Sequence, residues 1–303
     1  MNSMEYIKCS ICGGESKFLF KTKNTHGANR ITEDEFSLFK CRDCGLIFVN
    51  PRPIKSEIIK YYNFNYYLPE NKFKSKIEKV LVNLLLLSKK KLISKFKKSG
   101  RILDIGCGKG DFLNIMSSDK WETYGIEPNS SGYDLTNNLN YNNNNIFNSE
   151  LHDCKFPNNH FDVITMWHVF EHIYEPKKEL EEINRILKNN GLLILTVPNA
   201  KSLGFRIAKQ NWFHLDAPRH LFHYEPNTIA KLFPDTLGLH IITIKYLQLD
   251  FPLDLYHSLL SDKKKFFRIF FSIPLLILLP ILKFIGKIFD APETFMVVCQ
   301  KKY

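Results

Sequence analysis

The sequence predicts an α/β fold with a largely parallel, doubly wound sheet, preceded by a small metal-bound module. Three observations carry this. From Arg101 onward, short apolar runs alternate with helical segments; one of those runs passes directly into closely spaced glycines; and four of the seven cysteines stand in two Cys-x-x-Cys pairs near the N-terminus. The chain of 303 residues is about twice the usual size of one domain, so one large domain with an appendage or two domains both fit. With 44% hydrophobic and 24% charged residues, 14 Gly and 14 Pro, it can bury a sizeable core, which excludes a fibre, a repeat array or wholesale disorder. A formal charge of +11 suits a nucleic-acid or anionic-membrane partner. Lysine, asparagine and isoleucine are all abundant, however, and compositional drift would give the same balance. No apolar leader follows Met1-Asn2-Ser3-Met4-Glu5, so the expected location is the reducing cytoplasm, where the cysteines stay unpaired.

Residues 1–53 read as a zinc ribbon. Cys9, Cys12, Cys41 and Cys44 have the two-knuckle spacing of a structural four-thiolate site, and each second cysteine is followed by a glycine, Gly13 or Gly45, that permits the tight turn. About fifty residues build little core alone, so Zn2+ would supply part of the folding free energy. Residues 54–99 form a basic linker. It opens with aromatic residues (Tyr61, Tyr62, Phe64, Tyr66, Tyr67) and continues from Lys76 to Lys98 as a lysine-rich helix in which Val80, Leu84, Leu87 and Ile93 recur at near-helical spacing. Its expected role is to pack across the following domain with its lysines in water; contact with an anionic surface is the rival.

From residue 100 the predicted strands fall at 101–105, 122–126, 161–167, 192–197, 240–248 and 294–300, with a weak one at Ile146 and Phe147 after an Asn-rich loop. The first strand leads into Gly106-Cys107-Gly108-Lys109-Gly110 and a helix. Glycines at a strand's carboxyl end let a ligand approach the backbone in the crevice where doubly wound sheets bind nucleosides. Glu127 ends the next strand, where a carboxylate accepts hydrogen bonds from both ribose hydroxyls. The spacing is Gly-x-Gly-x-Gly with Asp104 before it, which suits a cationic ligand better than a diphosphate.

These segments, ILDIGCGKGDFL, YGIEPN, FPNNHFDVITMWHVFEHI and ILKNNGLLILTVPN, resemble the successive motifs of class I S-adenosylmethionine-dependent methyltransferases over residues 100–303. With the cysteine knuckles and DAPRHLFHYEP, the chain is similar to the bacterial members that carry an N-terminal zinc ribbon. The resemblance implies a Rossmann-like seven-stranded sheet with its last strand antiparallel. It implies that Asp104, Gly106 and Gly108 hold the methionine moiety of S-adenosylmethionine and Glu127 its ribose. Glu150 stands where many relatives place an adenine-binding Asp, and Cys107, Gly110, Pro128, Leu151 and Trp167 complete the implied cofactor set.

Methyl transfer from a sulfonium needs in-line positioning and exclusion of water, and a hydroxyl acceptor also needs a base. His168, Glu171 and His172 follow the fourth strand, and Asp216, Arg219 and His220 follow the fifth. His168, His172 and His220 are the catalytic candidates, with Arg219 as anchor for an anionic substrate. The Glu-His pair with a later histidine also resembles metal-assisted O-methyltransferases, which would place a second divalent ion near Glu171, His172 and His220, zinc or iron rather than magnesium given the nitrogen-rich set. The fourth strand ends in Thr165-Met166-Trp167 and lacks the Asn/Asp-Pro-Pro-aromatic tetrad of amino methyltransferases.

An apolar insertion at about 255–290 is uncharged from Ile269 to Leu282, interrupted by Pro274 and Pro280, and flanked by lysines. It is short for a membrane span; an interfacial hairpin at the inner membrane face or a cover on the protein are the two readings. The expected activity is O-methylation of a small-molecule, sugar or lipid-linked glycan acceptor. RNA methylation, with ribbon and lysines binding nucleic acid, and a non-catalytic zinc-ribbon binding protein are the alternatives.

Overall fold

The computed structural model describes residues 3–23, 34–62, 76–117, 120–129, 133–134, 145–247, 258 and 291–302. Aromatic residues 64, 66 and 67, most of the Asn-rich tract and the apolar insertion at 255–290 apart from residue 258 lie outside them.

Two short strands, β1 (Met4–Glu5) and β5 (Arg52–Pro53), pair antiparallel and close the N-terminal module. Between them β2 (Ser16–Lys23), β3 (Glu35–Cys41) and β4 (Ile47–Val49) form an antiparallel meander, with the two knuckles at one end of it. Gly13 and Gly45 hold φ of +72° and +84° and donate their amides back to the carbonyls of Cys9 and Cys41, the tight turn for which the glycines were expected.

After a 3-10 turn at Ile58–Tyr61 comes α1 (Lys76–Ile93). Of the stripe expected to face inward, Ile93 alone is buried. Val80, Leu84 and Leu87 are exposed, while Ile93, with Leu86 and Leu92, packs against Phe112, Met116 and Trp121. The helix is apolar on two faces, so near-helical spacing alone did not say which face finds the core.

The main sheet is built from β6 (Gly100–Ile105), β7 (Trp121–Ile126), β8 (Ile146–Phe147), β9 (Phe161–Trp167), β10 (Leu187–Pro198), β12 (Leu239–Leu247) and β13 (Thr294–Lys301). Its order is β12-β13-β10-β9-β6-β7-β8. Only β13 runs against its neighbours, pairing antiparallel with both β10 and β12. β10 begins five residues before the predicted start. The extra segment carries a register irregularity between Leu187 and Leu192, with Asn190 at φ +59°. Helices α2 (Asp111–Ser117) and α3 (Pro176–Ile186) supply crossovers. In α3, Pro176 fits the first helical position, and Leu180, Ile183 and Ile186 recur at 3-to-4-residue spacing to bury one stripe.

The excursion after β10 contains α4 (Leu203–Ala208), β11 (Phe222–His223) and α5 (Pro226–Ala230). β11 leaves the main sheet and becomes the fourth strand of the ribbon meander, in the order β11-β4-β3-β2. One apolar core therefore runs from Ile11, Leu46 and Phe48 of the ribbon through Phe222 and Tyr224 to Phe170, Leu193 and Val297 of the sheet.

Candidate functional site

The glycine loop lies at the carboxyl end of β6, between β9 and β7, where the strand order turns outward from the chain's first sheet strand. Gly106, Gly108 and Gly110 all hold positive φ. A Cβ on Gly106 would stand 2.4 Å from Val169 Cγ2, so the loop needs glycine there for space as well as conformation. Its amides are already aimed: Gly106 N and Cys107 N both donate to Ile126 O, at 2.7 and 3.0 Å. Cys107 is buried, and its sulfur would collide with any side chain at Gly125.

Two carboxylates border this loop. Asp104, the fifth residue of β6, is 2% exposed, and Thr165 Oγ1 donates to its Oδ1 at 2.6 Å. Burial raises its pKa to about 7 against the opposing pull of Thr165 and of the nearby Lys89 ammonium. Glu127, at the end of β7, accepts from Gly108 N at Oε2 and from Asn129 N at Oε1, both at 2.9 Å. Across the edge the order is thus Glu127, Asp104, then Trp167 at the end of β9. Trp167 packs edge-on against Phe112 and carries the Lys89 ammonium 4.3 Å above its ring. Of the other implied cofactor residues, Pro128 is exposed beside Glu127, and Leu151 is buried in the main core. Glu150 precedes Leu151 at the start of a 3-10 turn, where Lys55 of the linker pairs with it.

The histidines converge next to this loop, because Val169, which abuts Gly106, lies between His168 and Glu171. Glu171 is 1% exposed, and neither of its oxygens has a hydrogen-bond donor among the described residues. His168 Nδ1 stands 3.7 Å and His220 Nε2 3.9 Å from Glu171 Oε1. Although burial works the other way, the imidazoles of His168, His220 and His172 hold Glu171 down at about 2. Burial lowers the pKa of His220, and burial with the charge of His220 lowers that of His172 to about 4. Both rings are therefore neutral at pH 7.

Their tautomers follow from the backbone. His220 Nδ1 lies 2.8 Å from His214 O and His172 Nδ1 lies 2.9 Å from Arg219 O. A carbonyl only accepts, so each Nδ1 carries the proton and each Nε2 a lone pair. The two rings meet edge-to-face at 4.7 Å, and His220 Nε2 is 3.5 Å from Asp216 Oδ2. Such a neutral imidazole, facing buried carboxylates that would pair with the imidazolium, can accept a proton. One ligand atom from each of Glu171, His172 and His220 also falls within 4.8 Å of the others, so the same three residues could hold a cation.

Arg219 is not placed to anchor an anionic substrate. It is 1% exposed, and both its Nε and Nη2 donate to Asp216 Oδ1, which satisfies its charge within the chain. Sequence reasoning missed the pocket role of Tyr62, whose hydroxyl lies 3.1 Å from His172 Nδ1, and of Thr165 and Lys89. A separation of 110 positions between Tyr62 and His172 leaves no local signal, since only the tertiary fold brings the start of the linker against the segment after β9.

The four ribbon cysteines lie with all their sulfurs within 4.8 Å of one another, Cys9 to Cys44 and Cys12 to Cys41 at 3.4 Å each. A tetrahedral zinc with bonds of about 2.3 Å needs sulfurs about 3.8 Å apart, so the residues fit the ion. The sulfurs do not share one tendency: against burial, the amides of Cys44 and Asp43 bring Cys41 down to about 7, whereas burial raises Cys9 and Cys44.

The sheet order, the single antiparallel strand and the acidic residues around the glycine loop define a class I S-adenosylmethionine-dependent methyltransferase. Residues 77–244 match the model of the family described as a methyltransferase domain, and the chain belongs to that family. A stretch of 114 residues is 37% identical to an uncharacterized protein of Methanocaldococcus jannaschii, MJ0638, covering 37% of this chain and 48% of that one. The match thus spans about half the length of that curated relative. Among solved structures, a proposed sarcosine dimethylglycine methyltransferase from Galdieria sulphuraria is similar with a TM-score of 0.51 at 14% identity, over 74% of this chain and 86% of that one. A SAM-dependent methyltransferase from Archaeoglobus fulgidus gives 0.49 at 18%, over 72% and 94%.

Proposed function

We propose that the protein methylates a hydroxyl oxygen of a small-molecule, sugar or lipid-linked glycan acceptor, with S-adenosylmethionine as donor. The observation that carries this reading is the pair of neutral imidazoles, His172 and His220, with Nε2 lone pairs beside the buried Glu171 carboxylate and next to the glycine loop. S-adenosylmethionine supplies an electrophilic methyl group on a cationic sulfur. Asp104 would meet the cationic methionine end and Glu127 the ribose, while Gly106 to Gly110 give close backbone approach. Trp167 and Phe112 keep water from that edge. His220 Nε2 takes the acceptor's proton, and Asp216 and Glu171 then hold the imidazolium; His172 and His168 complete the pocket wall.

Calorimetry with S-adenosylhomocysteine and turnover of a labelled methyl donor against a panel of hydroxyl acceptors test this. Binding with transfer to oxygen, lost in His220→Ala, is the expected result. No binding to the parent, or transfer that persists unchanged in both His172→Ala and His220→Ala, overturns it.

A second reading of the same pocket is favoured by the orphaned Glu171 oxygens: a divalent ion held by Glu171, His172 and His220, which would acidify the acceptor hydroxyl. Metal analysis decides between them. One zinc per chain, lost with Cys9→Ser, supports the ribbon alone; a second ion lost with His172→Ala supports the metal. The ribbon's setting favours a small acceptor over RNA. Its β4 edge is occupied by β11, and Lys231 Nζ donates to Cys44 O at 3.1 Å, so the module serves its own neighbour.

A further inference from the structure

A surface helix that is apolar on two faces has a second partner to find. In α1 the first face is settled: Ile93 is fully buried with Leu86 and Leu92 beside it, and Lys90 Nζ donates to Ile115 O at 2.9 Å, fixing the helix to α2. The second face is bare. Val80 and Leu84 are each 57% exposed, Leu87 46% and Val82 43%.

Positions 80, 84, 87 and 91 advance along one side of α1 at steps of four, three and four. The backbone bonds Ser94 N to Lys90 O and Lys97 N to Ile93 O carry the helical path past Ile93. The exposed face is therefore apolar at Val80, Leu84 and Leu87 and cationic at Lys91, and the turn that follows α1 extends the cationic end with exposed Lys95, Phe96 and Lys98. No Asp or Glu occurs from residue 79 to 98.

We infer that this face of α1 docks the protein on an anionic lipid surface, with Val80, Leu84 and Leu87 entering the interface and Lys91, Lys95 and Lys98 meeting lipid phosphates. The charge pattern selects this occupant. In a symmetric antiparallel pairing of two copies, each lysine half would lie over the other's leucines without a counter-ion, and in a parallel pairing the lysines would face one another. A phosphate-bearing surface over hydrocarbon complements both halves at once. The turn of helix that holds this face also carries Lys89 on Trp167, so docking would bring the cofactor edge close to the lipid. The consequence that the acceptor is amphiphilic rests on the proposed methyl transfer; the docking itself does not.

Co-sedimentation of the full-length, zinc-loaded protein with vesicles of phosphatidylglycerol and phosphatidylcholine tests the docking without any turnover. Expected are salt-sensitive binding to the mixed vesicles, little to phosphatidylcholine alone, and partition at least about tenfold weaker for the Leu84→Ser/Leu87→Ser variant. The charge reversal Lys91→Glu/Lys95→Glu/Lys98→Glu, which touches only exposed side chains, should give the same loss and serves if the serine variant does not fold. Absence of vesicle binding overturns the inference. So does binding that neither variant changes, as would follow if the apolar stretch at 266–289 alone met lipid, or a stable dimer that the leucine changes convert to monomer.

Discussion

Asp104→Asn should stabilise the ligand-free protein at pH 8 while weakening its hold on the methyl donor. Burial lifts the Asp104 pKa from 3.8 to about 7, so the folded chain keeps this proton over a pH range in which the unfolded chain has lost it. Folded-state stability therefore falls as pH rises from about 4 and stops falling near pH 7, where the full penalty is reached. A displacement of about three pH units corresponds to roughly 4 kcal/mol. Asparagine removes the charge and still accepts from Thr165 Oγ1, but its amide donors enter a dry site, which returns about 1 kcal/mol or more. The net gain is on the order of 2–3 kcal/mol at pH 8 and near zero at pH 5. Urea denaturation of the zinc-loaded protein at several pH values, followed by tryptophan fluorescence, measures the difference between parent and variant. Calorimetry supplies the other half: parent affinity for S-adenosylmethionine should fall as pH drops below 7, whereas the variant binds about tenfold or more weaker with no such dependence. If the two denaturation series run parallel across pH 5 to 8, Asp104 is not held protonated by a dry environment and the reasoning fails.

Lys89→Ala removes a cation that helps keep Asp104 ionised, so the pH at which donor binding is half lost should move upward; calorimetry from pH 6 to 8 would show it. Glu171→Gln leaves the glycine loop intact and takes away the carboxylate that pairs with the protonated base, so turnover should drop by about a hundredfold with S-adenosylhomocysteine binding unchanged. Because burial keeps His172 at about 4 and lowers His220 as well, turnover at saturating donor should stay level on acidification from pH 7.5 to 6, where an exposed histidine base would already be protonating. Removing zinc with a chelator should abolish turnover before donor binding, since β4 pairs with β11 in a sheet separate from the one that holds β6 and β7. Parallel loss of the two would place the ribbon's effect on the whole fold.

Strands of the main sheet were legible because each is a short apolar run ended by a turn residue, and burial on both faces of a parallel sheet leaves that mark in local composition. The glycine loop was legible for the same reason: Asp104, Gly106 to Gly110 and the start of α2 are consecutive, so strand, turn and helix can be read in one line. The histidine cluster was half legible. His168, Glu171 and His172 share one turn after β9, but their tautomers depend on the carbonyls of His214 and Arg219, which only the excursion after β10 brings into range. Arg219 shows the converse. Its sequence neighbour Asp216 was in view, yet a charge three residues away gives no sign of whether the pair meets in water or, as here, fully buried. Tyr62 was illegible as a pocket residue, and α1 misled, because a helix with two apolar faces has no single periodic signal.

The joint between ribbon and catalytic sheet explains why these two pieces form one chain. Val49 N donates to Leu221 O at 3.0 Å, and Leu221 N donates to Glu171 O at 2.9 Å, so the backbone beside the buried carboxylate hangs from the ribbon's last meander strand. Arg52 stacks 4.5 Å over Tyr174 and donates to its carbonyl at 3.1 Å, while Tyr174 Oη donates to Pro53 O at 2.9 Å. Ribbon residues thus fix both ends of the segment 171–174, and Tyr62, the last described residue of the linker's first part, closes on His172 from the same side. Within the cluster the contacts to Glu171 are long, His168 Nδ1 at 3.7 Å and His220 Nε2 at 3.9 Å, so its spacing rests largely on the backbone around it. The ribbon meander supplies that backbone through β4 and β11, so an ion on its four cysteines would act on the spacing of the histidine cluster, while the glycine loop is held within the main sheet.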